Sequence, residues 1–175
     1  MIETIYDHFI KMHTEMAFRN NASSGIIRAM ANLGKPLNDA IAAGLLSLDT
    51  IHAPIRSACE CFNAFEHDGA LNASYCGSKV PGFGSSWYKN EPDPVVEAFL
   101  NELDDEVLNV VTRYNGYVQD MWNRPGLFPN AALATAAFAF QENIDPVTAM
   151  SKVILGRIDA WVSIYSDNYM ERGFN

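Results

Sequence analysis

The chain is 175 residues long and 49% hydrophobic, enough to bury one substantial core, and neither figure calls for a second independent domain. Its formal charge of -9 at neutral pH argues against nucleic acid and anionic membrane as partners, because both are gripped chiefly through basic patches. Any anionic ligand therefore needs a local cationic pocket.

The chain opens Met-Ile-Glu-Thr-Ile-Tyr-Asp-His, with acid where a secretory signal carries positive charge, and no apolar run approaches a membrane span. A cytoplasmic location is expected. Ile2, Ile5, Phe9, Met12 and Met16 then fall at helical spacing, followed by Ile26, Ile27, Met30 and Leu33, and by Ile41, Leu45 and Leu48. Gly34-Lys35-Pro36 and Asp49-Thr50 break the pattern. Cys59 and Cys61, one residue apart, and the distant Cys76 fit neither a zinc pattern nor an even disulfide framework, so they read as reduced thiols and no metal is expected.

The region from Asp68 to Pro92 is rich in Gly, Ser and Asn, and a loop of that length more often binds something than merely connects. Asp93-Pro94 and Asp145-Pro146 each place a capping acid before a proline suited to the first helical position, ahead of Val96-Phe99-Leu100-Leu103 and Val147-Met150-Val153-Ile154. Between those starts, a break spans Asn123 to Pro129, and the stretch from Ala131 to Ala139 is nearly all alanine, suited to close helix packing. No segment alternates long enough for a strand. The sequence predicts an all-α fold of about seven or eight helices.

Val80 to Asp93 reads Val-Pro-Gly-Phe-Gly-Ser-Ser-Trp-Tyr-Lys-Asn-Glu-Pro-Asp. It resembles the Pro-Gly-Phe-Gly-His-Arg-Val-Tyr-Lys…Asp-Pro-Arg loop of the citrate synthase and citryl-CoA lyase superfamily. Asn21-Ala22-Ser23-Ser24…Arg28, the helix from Asp39 to Leu48 leading into His52-Ala53-Pro54, Pro129-Asn130-Ala131-Ala132, and Leu155-Gly156-Arg157-Ile158-Asp159-Ala160-Trp161 resemble further family segments in the family's order. Together they cover about residues 13 to 172.

The resemblance implies a citrate synthase-like helical fold with a partial large layer, residues 1–52 and 126–175, and a small acyl-CoA domain, residues 53–125. Set against the family, the chain lacks the amino-terminal half and the C-terminal arm that donates an arginine to a neighbouring subunit. The family's chemistry needs a base at carbon, a donor to the thioester oxygen and cations for a dicarboxylate. Its base is matched here by Ala132, its keto-acid histidine by Ser85, and two arginines by Ser86 and Val95. His52 matches the thioester histidine, although Ala53 and Pro54 replace two glycines, and Arg157 is the cationic clamp kept in register. Coenzyme A or an acyl-CoA is the implied ligand, held by Pro81, Gly82, Phe83, Gly84 and Lys89, with Lys79 near phosphate. His13 lies near another family histidine and reads as a surface or interface residue.

The expected function is therefore a catalytically degenerate relative acting through acyl-CoA binding or assembly with a partner subunit. The alternative is an enzyme of altered chemistry that redeploys His52, Arg157 and Ser85, or one half of a heteromer whose other subunit is citrate synthase-like. A third reading is a helical interaction module with a filled site. A helical dimer is expected, because the stripes Ile41-Leu45-Leu48 and Ile154-Ile158-Trp161 leave too few internal partners.

Overall fold

The computed structural model describes residues 3–19, 21–48, 54–71 and 80–170. Within them lie eight helices: α1 Ile5–Phe18, α2 Ala22–Asn32, α3 Leu37–Leu46, α4 Ile55–Asp68, α5 Pro94–Leu100, α6 Asp105–Met121, α7 Ala131–Gln141 and α8 Pro146–Met170. Among the described residues the extended backbone amounts to one isolated bridge, Phe83 to Pro129. The all-α reading is thereby met.

Local chemistry explains where these helices begin. Thr4 and Asp7 close a reciprocal cap at the start of α1: Thr4 Oγ1 accepts from the Asp7 amide at 3.3 Å, and the Asp7 carboxylate accepts from the Thr4 amide at 2.8 Å. Asn21 caps α2, Asp93 caps α5 by accepting from the Val95 amide at 3.0 Å, and Asn130 caps α7. Asp145 caps α8 through the amides of Val147 and Thr148, with Pro146 next in the chain as the sequence predicts.

Helix α7 runs through the centre, every residue from Ala131 to Ala139 being buried. With methyls on most of its surface, it lets α4 and α8 approach closely. Phe138 of α7 stacks on Phe9 of α1 at 4.1 Å, and Phe9 meets Phe99 of α5 edge-on at 5.7 Å. Each such buried ring contributes roughly 1.5–3 kcal/mol of burial. Helix α1 lies along α8, where a Cβ on Gly156 would come within 2.8 Å of His13 Cβ, so only glycine permits this crossing.

A second cluster joins α2, α3 and α8 through Ile27, Ala40, Leu48, Trp161 and Ile164, with Ile41, Leu45 and Ile154 packed against it. This corrects part of the premise for a dimer: Ile41, Leu45, Leu48, Ile154 and Trp161, expected to need a second copy, find partners within one chain, whereas Ile158 lies outside the cluster. Their partners are distant in sequence, so periodicity alone could not pair them. Cys59 and Cys61 are buried and not joined in a disulfide, and Cys76 lies outside the described residues. No helix among the described residues is long and apolar enough to cross a membrane.

Candidate functional site

The Pro81 to Gly84 turn is built on two positive backbone angles, φ +93° at Gly82 and +82° at Gly84, where a side chain would be strained. A Cβ on Gly82 would also press within 3.2 Å of Leu133 Cα. The turn is tied to the start of α7: the Gly84 amide donates to the Phe128 carbonyl, the Asn130 amide to the Gly82 carbonyl and Asn130 Nδ2 to the Gly84 carbonyl, all at 2.9 Å. Several of its backbone groups are therefore engaged in holding the loop on α7. Past the turn, Ser85 Oγ accepts from the amides of Trp87 at 3.1 Å and Tyr88 at 3.2 Å, which curls the next residues back.

Two cavities meet at this loop. The outer one, about 750 Å³, is lined by Val80, Phe83, Trp122 and Leu127 with the exposed cations Lys89 and Arg124. The inner one, about 210 Å³, is lined by Met16, Arg19, Ser85, Asp93, Ala132 and Arg157 among others. Gly84, Ser85 and Ser86 border both. The outer cavity falls in the size range of organic-ligand pockets, roughly 300–1,000 Å³, whereas the inner one has room only for a small group.

Arg157 is 1% exposed. One of its terminal nitrogens donates to Ser23 Oγ at 3.3 Å, and its Nε has no partner among the described residues. Burial lowers its pKa to about 10, which still leaves a full positive charge at neutral pH. No carboxylate of the described residues lies within ion-pair distance of it. Arg19 differs: both its terminal nitrogens reach the Asp93 carboxylate, a group buried to 2% exposure, and its guanidinium sits 5.5 Å from the Tyr88 ring centre. The hydrogen bond to Asp93 raises the Arg19 pKa. The resulting pair is fork-on-fork and charge-assisted.

His13 is fully buried in the core, which corrects its reading as a surface or interface residue. Its ring packs edge-on against Phe9 and Nε2 lies 3.0 Å from Thr135 Oγ1, while Nδ1 is buried with no partner among the described residues. Because Thr135 Oγ1 donates its own proton to the Ala131 carbonyl at 2.7 Å, His13 Nε2 carries the donated hydrogen. Burial first, and then the charge of Arg157, hold the His13 pKa well below 6.5. The unfolded chain takes up a proton that the folded chain refuses. Stability is therefore complete above the ordinary value and falls as pH drops below about 6.5, by up to about 1.4 kcal/mol per unit. Denaturant midpoints between about pH 7 and pH 5.5 will show this slope, and His13→Asn will flatten it. An unchanged slope in the variant refutes the assignment.

Of the residues singled out in the sequence, Ser85 and Arg157 meet at the inner cavity, while Phe83, Gly84 and Lys89 line the outer one. Gly82 lies behind, buried against Leu133, and Pro81 is half-buried at the head of the turn. His52, Ala53 and Lys79 lie outside the described residues, although Pro54 lines the inner cavity. Ala132 presents a buried methyl there, and Val95 packs against the main core. Sequence reasoning missed Arg19 and Arg124. Arg124 follows Trp122 and Asn123 in the break read only as a connector, and its charge was the available signal.

No family model and no curated protein sequence matches the chain. Solved structures do. Citryl-CoA lyase from Hydrogenobacter thermophilus is similar over 97% of this chain and 72% of its own, with a TM-score of 0.74 and 18% identity. A mutant of Methanosaeta concilii ATP citrate lyase in complex with (3S)-citryl-CoA is similar over 93% of this chain and 31% of its own, with a TM-score of 0.70 and 19% identity. The chain thus has the citrate synthase-like helical fold of these lyases and spans under a third of the second one.

Proposed function

We propose that this chain is a citrate synthase-like protein that binds an acyl-CoA and has lost the family's carbon-carbon chemistry. The observation that carries this reading is a pair of neighbouring cavities that share Gly84 to Ser86 as lining, the larger with two cations and the smaller with one buried guanidinium that has no counter-charge among the described residues. The outer cleft suits the nucleotide end of coenzyme A, with Lys89 and Arg124 facing phosphate. The inner chamber suits the acyl end, beside Arg157. The citryl-CoA held by one fold relative supports the ligand class.

Loss of chemistry rests on what the chamber's wall offers. Ala132 has no proton acceptor, and the hydroxyl of Ser85, already organising Trp87 and Tyr88, cannot carry positive charge. Losing members of a concerted set costs orders of magnitude in rate. On this reading residues 53–125 act as the CoA-binding layer over residues 1–52 and 126–175, in the cytoplasm.

Calorimetry at low salt will show heat with CoA or acetyl-CoA that fades as salt is added, since exposed Lys89 and Arg124 act through screened contacts. Thiol release with oxaloacetate and acetyl-CoA, and consumption of citryl-CoA, will stay at the enzyme-free level. Absence of any binding heat overturns the ligand reading, and turnover by the unmodified chain overturns the degenerate one. Association into a homodimer or with a citrate synthase-like subunit draws support from exposed apolar side chains, Leu155 and Val162 on α8 and Leu33 and Leu46 beside α2 and α3. Sedimentation of the same samples as a monomer, alone and with such a subunit, removes that part.

A further inference from the structure

We infer that the inner chamber is built for a small monocarboxylic acid or acyl group bearing one negative charge, not for a di- or tricarboxylate. The inference rests on the reading that the chamber holds the ligand's acyl end, and it goes further by fixing that end's charge. Among the described residues lining the chamber, three are charged: Arg157, Arg19 and Asp93. Two of them cancel. The Asp93 carboxylate is gripped by both terminal nitrogens of Arg19 and also accepts from the Val95 amide, so it already occupies the bidentate position a ligand carboxylate would need on Arg19.

Arg157 is then the one cation of the described lining left without a counter-charge, and its Nε is a buried donor with no partner among the described residues. The start of α7, at Asn130 to Ala132, adds the partial positive end of a helix dipole on the same wall. One ligand carboxylate neutralises this site. A second would meet Asp93 in a space of about 210 Å³ with no further free cation among the described lining residues to receive it. An unpaired charge brought into such a site is strongly disfavoured.

Calorimetry at low salt with propionate and pyruvate, against malonate and oxaloacetate, tests the charge count directly. The monocarboxylates are expected to bind at least about tenfold more tightly, a difference of about 1.4 kcal/mol. Arg157→Gln abolishes their binding. Asp93→Asn frees Arg19 and moves the preference toward malonate, and should that variant fail to fold, the wild-type comparison decides alone. Malonate or oxaloacetate binding as tightly as the monoacids overturns the inference, as does the absence of heat with all four acids. Because these probes carry no nucleotide, failure to bind CoA in the outer cleft leaves this result readable on its own.

Discussion

Asp93→Ala will lower unfolding stability by about 3–5 kcal/mol, because it removes one partner of a buried ion pair and leaves the other uncompensated. The Asp93 side chain is 2% exposed and holds Arg19 with both oxygens. It also accepts from the Val95 amide as the cap of α5, worth about 1 kcal/mol by itself. Arg19 is 18% exposed and can turn partly toward water, which pulls the loss toward the lower end of that range. Against a total of about 5–15 kcal/mol the change is large. Denaturant unfolding with an unchanged m-value measures it. Asp93→Asn keeps an acceptor for Val95 and should recover the cap but not the charge pairing. A loss under about 1 kcal/mol for Asp93→Ala would show that the pair contributes as little as an exposed one.

The same residue shows where sequence reading reaches and where it stops. Asp93 before Pro94 announces a helix start, because the cap and the fixed proline angle act over three residues of chain. Its second task, holding Arg19 seventy-four positions away, leaves no local mark. The stripes on α3 and α8 were legible as apolar faces, yet their meeting in one cluster also depends on α2, which packs against both. The alanine run from Ala131 to Ala139 was legible as a close-packing surface and is buried along its length. His13 was misjudged for a related reason: polarity places a histidine outside unless its partners are known, and Thr135 lies 122 residues on. The loop from Val80 to Asp93 was readable as a candidate site through its resemblance to the family's Pro-Gly-Phe-Gly segment, and Gly82 and Gly84 within it hold backbone angles that other residues resist. Its role in clasping the start of α7 was not, since those bonds run between backbone groups that every residue possesses.

Arg157→Met will raise unfolding stability by about 1–4 kcal/mol while abolishing binding of small acids in the inner chamber. The guanidinium is nearly as buried as any group in the protein, yet it makes one long hydrogen bond, to Ser23 at 3.3 Å, and its Nε is unsatisfied among the described residues. A cation taken out of water without a carboxylate nearby costs several kcal/mol, and a lone hydrogen bond of about 1 kcal/mol does not offset it. Methionine keeps much of the buried aliphatic stem, and its flexible thioether fills an irregular gap without a charge. If Arg157 were a structural residue, the same change would destabilise, by the loss of whatever pairing justified its burial. The two roles therefore predict opposite signs. Thermal and denaturant midpoints that fall in Arg157→Met would assign it to the scaffold. A rise, together with loss of propionate binding and retained CoA binding at the outer cleft, would mark Arg157 as a charge held in the core at a cost to stability for the ligand it receives.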